Sequence, residues 1–265
     1  MCTVIVSVGP GQILLAGIRD ELTGRPWQPP ARHWPEYPGL TGGLDLLAGG
    51  TWLAVAPGAA RVACVLNGRG QMAPAASRRS RGVLPLLAAA EGKLARYGLA
   101  AFDPFHLLTA EPGRVSLASW DGERLTEREL PAGLHMIVNS GVASDLLAAS
   151  APGGEQHPAG REHELARIKY FLPRLQVTEP ARPRPGVPVA EAWGGWLPLL
   201  NGDGLATGDP RALIVRRDLG DGRVYGSTSV SLVALSATAV RYDFTGRPGD
   251  PGAWQPVPLD PPGAR

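Results

Sequence analysis

The stretch that decides the fold reads MCTVIVSV at residues 1–8, GPG at 9–11 and QILLAGIRDE at 12–21. The first and third segments are rich in β-branched and aliphatic residues, a composition typical of strands. The intervening Gly-Pro-Gly is a strong turn signal. The chain is therefore predicted to begin with an antiparallel β-hairpin.

The pattern downstream of the hairpin predicts a mixture of strands and helices. A loop rich in Pro, Gly and Trp is predicted over 23–43, and an Ala/Leu-rich helix, or two short ones, over 83–102. Apolar residues spaced by three and four predict a helix over 162–175 that Pro173 ends or kinks. Further strands are predicted at 51–56, 61–66, 105–110, 114–120, 134–138, 211–217, 223–235 and 238–244.

This order of elements predicts an α+β fold, because alternating βαβ units would give a different pattern. We expect a single domain over residues 1–265, with a loosely ordered tail from about residue 246.

Composition excludes several classes of protein. Of 265 residues, 44% are hydrophobic and 19% are charged, which argues against a disordered chain. The net charge of +2 gives no reason to expect a nucleic-acid partner. The chain contains no apolar run long enough for a transmembrane helix and no signal-peptide pattern, so we expect a cytoplasmic protein. Two cysteines are too few for a zinc cluster or a disulfide framework.

Known catalytic motifs are absent from the sequence. It contains no Walker A motif and no GxSxG, and His163-Glu164 lacks the second histidine of a zincin helix. The basic run Arg78-Arg79-Ser80-Arg81 could hold an anion or form a solvated loop.

Cys2 is the most informative single residue. Cells remove Met1 efficiently before a small residue, which would leave Cys2 at the N-terminus of the mature chain. Its α-amine, with an ordinary pKa of about 7.7–8.0, and its thiol, at about 8.5, would then supply a base and a nucleophile in one residue. The alternative is that Cys2 is an ordinary small residue of a strand.

The geometry of the predicted hairpin places charged residues beside Cys2. A four-residue turn from Gly9 to Gln12 puts Cys2 opposite Arg19, whereas a turn one residue tighter puts it opposite Ile18. Paired residues have Cα atoms about 4.5–5.5 Å apart. An arginine there would lower the pKa of the thiol, and a carboxylate of Asp20 or Glu21 could orient the amine or move a proton. The alternative is a surface ion pair at a strand end.

Several ordered motifs follow the hairpin and resemble one known family. They are Arg25-Pro26, Trp34, Gly43-Leu44-Asp45, Gly49-Gly50-Thr51-Trp52-Leu53-Ala54-Val55, Leu66-Asn67-Gly68-Arg69, Ser80-Arg81-Gly82, Val138-Asn139-Ser140 and Val224-Tyr225-Gly226. Together with Met1-Cys2-Thr3 and Arg19-Asp20-Glu21 they resemble the NRDE family, also called the transport and Golgi organization protein 2 family. The resemblance is dense over residues 1–85 and looser to about 140.

The resemblance implies the fold of N-terminal nucleophile hydrolases, a four-layer αββα sandwich of two antiparallel sheets. Penicillin V acylases and bile salt hydrolases, which are similar in fold, use an N-terminal Cys followed by Arg and Asp. By motif position, the corresponding core here is Cys2, Arg19 and Asp20, with Asn67 and Asn139 as polar partners.

Two positions depart from the family pattern. The Asn that usually precedes Arg-Asp-Glu is Ile18, and the Arg that many members carry on a late strand is Thr228. If that Arg normally binds or polarises the substrate, this chain lacks the contribution.

The resemblance leaves two classes of function open. The first is a cysteine amidase, with Cys2 attacking a non-peptide amide and no cofactor required. The second is a non-catalytic carrier of haem, acyl-coenzyme A or lipid in the same pocket, with Cys2, His33 or His135 as possible axial ligands of a haem. The predicted ligand-binding residues, beside Arg19, are Glu21, Trp34, Trp52 and Arg69.

Overall fold

A computed structural model describes residues 2–94, 98–150, 161–179 and 181–259. The strands are β1 (Thr3–Gly9), β2 (Gln12–Leu22), β3 (Trp27–Ala31), β4 (Thr41–Asp45), β5 (Leu53–Ala56), β6 (Arg61–Asn67), β7 (Phe105–Glu111), β8 (Arg114–Trp120), β9 (Leu125–Glu129), β10 (Gly133–Val138), β11 (Gly141–Val142), β12 (Arg216–Asp218), β13 (Val224–Ser236), β14 (Val240–Thr245) and β15 (Gln255–Pro256). The α-helices are α1 (Val83–Glu91), α2 (Ala143–Ala149), α3 (Arg161–Val177), α4 (Val189–Trp193) and α5 (Trp196–Leu200).

The strands form two antiparallel sheets, so the predicted α+β class with two antiparallel sheets is confirmed. The first sheet has the order β11-β10-β1-β2-β13-β14-β15, with β12 paired to β13. The second has the order β3-β4-β5-β6-β7-β8-β9. The N-terminal hairpin therefore lies in the middle of the first sheet, where both β1 and β2 are paired on each side.

Three apolar clusters bury the faces of the two sheets. One joins the sheets, with Val4 and Leu15 of the first packing among Val55 and Leu108 of the second. Another places the opposite face of the first sheet, including Ile18, under helices α2 to α5. The third covers the outer face of the second sheet with α1 and the loop that carries Trp34. Alternation along each strand supplies these faces, since neighbouring side chains point to opposite sides.

The hairpin has the register predicted for a four-residue turn from Gly9 to Gln12. Val8 pairs with Ile13 and Thr3 pairs with Ile18. On the other side of β1, Thr3 pairs with Val138. Continuing both registers by one position places Cys2 between Arg19 and Asn139.

The prediction of one long loop over 23–43 was wrong, because β3 and the start of β4 lie there. Pro29 and Pro30 are tolerated in β3, which is the edge strand of the second sheet. Gly43 in β4 leaves room for the Trp52 ring, since a Cβ on Gly43 would lie 2.3 Å from it. Proline and glycine here serve strand packing, although their composition is typical of loops.

The helix predictions were right in place and inexact in extent. The first helix ends at Glu91, where Gly92 adopts a left-handed conformation with φ of 76°. Residues 95–97 lie outside the described part of the chain, and a 3-10 turn occupies Leu99–Ala101. Pro173 lies inside α3 without ending it.

The C-terminal region contains more regular structure than its composition predicts. The strand predicted over 211–217 is reduced to β12, and β9, α2, α4 and α5 were not predicted. Within the segment from residue 246, β15 pairs with β14, and residues 260–265 lie outside the described residues. No helix in the described ranges is both long and apolar enough to cross a membrane.

Candidate functional site

Cys2 lies at the start of β1, at the end of the first sheet where β2 and β10 flank it. Its thiol is partly buried and donates to the backbone oxygen of Asp20 at 3.7 Å. Burial raises the pKa of this thiol. A reactive thiolate at neutral pH therefore requires a base close to the sulfur.

Arg19 is held in one orientation beside this position. It is 5% exposed, and its Nη1 donates to Thr228 Oγ1 at 2.9 Å. Its Nη2 lies 3.5 Å from Asp45 Oδ2, and its Cζ lies 4.6 Å from the ring centroid of Trp52. Burial lowers the pKa of the guanidinium from its high ordinary value, but the nearby carboxylates oppose this shift. Arg19 therefore supplies a fixed positive charge.

A β-bulge explains how Thr228 reaches Arg19. The register between β13 and β2 shifts between Ser227 and Ser229, which pair with Asp20 and Arg19. The extra residue, Thr228, is turned toward the guanidinium. Thr228 thus supplies a neutral acceptor for Arg19.

The side chain of Asp20 is buried on the face of β2 opposite to that of Arg19. Its Oδ1 accepts a hydrogen bond from Ser227 Oγ at 2.6 Å, and its Oδ2 lies 3.8 Å from Nη1 of Arg167. Burial raises the pKa of Asp20, and the charge of Arg167 opposes that shift. Since Arg167 is also 1% exposed, the two form a buried ion pair.

Arg167 connects α3 to the start of the first strand. Its Nη1 donates to Thr3 Oγ1 at 2.8 Å and its Nε donates to the oxygen of Ala212 at 2.8 Å. The helix is thereby fixed to the residue that follows Cys2.

Cys2, Arg19 and Asp20 all line one cleft of about 680 Å³ between the ends of the two sheets. The second sheet contributes Asp45, Trp52 and Asn67 to its wall. The loop before α1 closes another side with its arginines. No histidine is found among the described residues that line this cleft.

The two predicted asparagines are in contact, but they differ in exposure. The Asn67 side chain is exposed and lines the cleft. Asn139 is buried, and its Nδ2 donates to the backbone oxygen of Asn67 at 2.7 Å. Its Oδ1 is buried and has no hydrogen-bond partner among the described residues. Asn139 therefore fixes the end of β6, from which Asn67 extends.

The four predicted ligand-binding residues separate into two pairs. Glu21 and Trp52 line the cleft. Trp34 is instead buried behind the second sheet, with its Nε1 donating to the oxygen of Gly49 at 2.8 Å. Arg69 also lies outside the cleft wall, where it donates to Ser140 Oγ at 2.6 Å and binds Glu164 at 3.2 Å.

The histidines predicted as possible haem ligands lie away from this cleft. Nε2 of His33 is 2.9 Å from the oxygen of Pro29, and Nε2 of His135 is 2.8 Å from the oxygen of Pro131. Within the described residues, no group of three His, Cys, Asp or Glu side chains could hold a metal ion. Of the three predicted axial ligands, only Cys2 faces the cleft.

Several residues of the site were not predicted from the sequence. These are Arg25 and Asp45, joined at 2.6 Å, Asp103, which binds Arg78 at 3.1 Å, the half-buried Ser227 and the buried Arg167. The sequence indicated Asp45 only as a member of the Gly43-Leu44-Asp45 motif. It indicated Arg167 only as a charged residue within the predicted apolar stripe of α3.

A family model described as Transport and Golgi organisation 2 matches residues 1–150. The chain belongs to this family. The comparison with curated proteins found no match to this chain. The Transport and Golgi organisation 2 match contains Cys2, Arg19 and both asparagines, whereas Arg167 and Thr228 lie beyond it. Side chains that hold Arg19 and Asp20 in place therefore come from the part of the chain that the family model does not match.

Proposed function

We propose that this chain is a cysteine amidase that cleaves a non-peptide acyl amide, with Cys2 as the nucleophile. The observation that carries the proposal is that Cys2 lines one cleft with Arg19, Asp20 and Asn67, and that its thiol donates to the backbone oxygen of Asp20. Polar residues of β2 and of the second sheet, distant in sequence, thus meet Cys2 at one cleft.

The fold supports the same proposal. Two antiparallel sheets share an apolar interface, and helices pack on their outer faces. We infer a four-layer αββα arrangement like that of N-terminal nucleophile hydrolases. The enzymes of similar fold named above use an N-terminal Cys as nucleophile, the position that Cys2 would hold once Met1 is removed.

The first chemical step would use the α-amine of Cys2 as the base. Burial raises the pKa of the thiol, so the thiol needs a base, and an α-amine with an ordinary pKa of about 7.7–8.0 is matched to neutral pH. Asp20, held by Ser227 and Arg167, would orient the resulting ammonium. The thiolate would then attack the amide carbonyl carbon and form a tetrahedral intermediate.

The later steps would divide between Asn67 and the amine. The amide of Asn67, which lines the cleft, would donate to the oxyanion, a contact of a kind worth about 2.7–4 kcal/mol in the transition state. The ammonium would return its proton to the leaving amine as the C–N bond breaks, leaving a thioester. Water, deprotonated by the same amine, would hydrolyse the thioester and release the acid and the free thiol.

Two preparations of the same chain test this mechanism. One begins at Cys2, released from a cleavable fusion, and the other carries one glycine before Cys2. Turnover of a panel of N-acyl 7-amino-4-methylcoumarins is expected only from the first. Equal turnover by both would rule out the amine as base, and Cys2→Ala in the first chain controls for background hydrolysis.

A non-catalytic carrier of an acidic ligand such as acyl-coenzyme A is the second candidate. The contact between Arg19 and the Trp52 ring favours it, because a fixed cation beside an aromatic wall suits a ligand with an acidic group and an apolar part. Cys2→Ala should then keep full affinity in a titration with palmitoyl-coenzyme A. Loss of binding in Arg19→Gln, with no turnover by the wild type, would favour the carrier over the amidase.

A further inference from the structure

The loop before α1 presents two arginines, Arg79 and Arg81, to the cleft that form no ion pair with a carboxylate of the described residues. Arg19, Arg25, Arg78, Arg79 and Arg81 line the cleft. Asp45 pairs with Arg19 and Arg25, and Asp103 pairs with Arg78. Among the described residues, no carboxylate lies within 4.0 Å of the guanidinium of Arg79 or Arg81.

Arg79 and Arg81 differ in how far their side chains are exposed to solvent. Arg79 is exposed and lies over the ring of Phe102, with 5.3 Å between Cζ and the ring centroid. Arg81 is partly buried, and among the described residues its guanidinium donates one hydrogen bond, from Nη1 to the oxygen of Pro104 at 2.8 Å. Its remaining N–H groups therefore belong to a partly desolvated cation on the cleft wall.

The backbone around Arg81 is fixed rather than free. Thr51 N donates to the oxygen of Gly82 at 2.9 Å, and Arg79 N donates to the oxygen of Ala101 at 2.7 Å. Gly50 packs so closely on Gly82 that a Cβ there would lie 2.4 Å from its carbonyl carbon. This loop holds Arg81 in place before any ligand binds, which reduces the ordering cost of binding.

We propose that Arg81 is the anchor of an oxyanion subsite beside Cys2, which accepts a carboxylate or phosphate group of the ligand. Arginine is suited to this role because its planar N–H groups match carboxylate and phosphate oxygens in bidentate geometry. Arg19 adds a second positive charge on the adjacent wall of the same cleft. The subsite deepens the proposed function by naming an acidic acyl conjugate as its ligand class, but it does not require turnover.

Alkylation of Cys2 by two nearly isosteric reagents tests the subsite. The thiolate displaces iodide from either iodoacetate or neutral iodoacetamide, so the ratio of the two rate constants cancels the thiolate fraction. Compared with glutathione, the ratio at Cys2 should favour iodoacetate by about tenfold, the size expected for a charge-assisted hydrogen bond. Arg81→Gln should remove most of that preference, whereas Arg32→Gln, an equal charge change outside the cleft, should leave it unchanged.

Inorganic phosphate provides the second arm. If the subsite takes phosphate, phosphate should slow alkylation by iodoacetamide and raise the melting temperature in the wild type but not in Arg81→Gln. A carboxylate-selective subsite would show the iodoacetate preference alone. If Cys2 proves unreactive, the melting temperatures with phosphate and with acetate decide the question.

The proposal is overturned if the iodoacetate preference equals that of glutathione and neither anion shifts the melting temperature. It is also overturned if Arg81→Gln and Arg32→Gln behave alike. Anion selectivity without amide turnover would keep the subsite and reject the amidase. Amide turnover without anion selectivity would keep the amidase and reject the subsite.

Discussion

The carboxylate of Asp20 and the guanidinium of Arg167 form a buried pair, with 3.8 Å between Oδ2 and Nη1. Asp20 belongs to the hairpin that opens the chain, and Arg167 belongs to α3, which lies beyond the residues that the family model matches. The pair therefore ties the family-matched half to the remainder of the protein at the candidate site.

Replacing Arg167 with Met should destabilise the protein by about 3–5 kcal/mol, because a buried carboxylate would lose the buried cation beside it. Urea unfolding measures the change. Arg114→Met is the matched control, since Arg114 is 57% exposed and its ion pair with Glu129 should contribute about 1 kcal/mol or less. Similar losses in the two variants would contradict the role given to the buried pair.

Thr228→Val should release Arg19 while keeping the shape of the side chain. The variant removes the hydroxyl that accepts from Nη1, and a hydrogen bond to a charged group is worth about 1.5–3 kcal/mol. Chemical denaturation should show a loss in that range. Thr126→Val, which removes an exposed hydroxyl from β9, should change stability far less; an equal change would show that the Thr228 contact is unimportant.

Stability should fall as the pH drops below about 6.5, the ordinary pKa of histidine. Burial lowers the pKa of His106, so the unfolded chain binds a proton at a higher pH than the native protein does. Because the unfolded state holds more protons in that window, the free energy of unfolding decreases with falling pH. Nε2 of His106 faces the oxygen of Asn139 at 3.3 Å, which assigns the proton of the neutral ring to Nε2.

Denaturation of the wild type and of His106→Gln from pH 5 to 8 measures this effect. The difference between their pH profiles isolates His106 from general acid destabilisation. Parallel profiles would contradict the assignment of a neutral, half-buried imidazole.

Gly50→Ala should destabilise the protein by about 1–3 kcal/mol, because the added methyl group would overlap the backbone of Gly82. The same variant should reduce the iodoacetate preference at Cys2 by moving the loop that carries Arg81. Gly58→Ala meets nothing within 4 Å and serves as the control. If Gly50→Ala is destabilised but keeps the iodoacetate preference, the position of this loop does not control the subsite.

The parts of the fold that the sequence predicted are those set by local signals. The hairpin of β1 and β2 combines strand composition with a Gly-Pro-Gly turn, and its register follows from the turn length. The stripe of α3 likewise repeats every three or four residues. Such signals depend on neighbouring residues, so they survive without knowledge of the tertiary structure.

The remaining features depend on contacts between distant segments. Gly43 was taken for a loop residue because its packing partner, the Trp52 ring, is recognised only once the second sheet is assembled. The bulge that turns Thr228 toward Arg19 requires the pairing of β13 with β2. Arg167 pairs with Asp20 only after α3 packs on the first sheet, and composition does not encode that contact.

The most direct measurement follows thioester formation and release at Cys2. The chain that begins at Cys2 would be mixed with p-nitrophenyl acetate, and the reaction followed by nitrophenol release and intact mass. The amidase mechanism predicts a burst of one acyl group on Cys2, then repeated turnover and return to the unmodified mass. A stable acyl adduct without turnover, or the same turnover when glycine precedes Cys2, would contradict it.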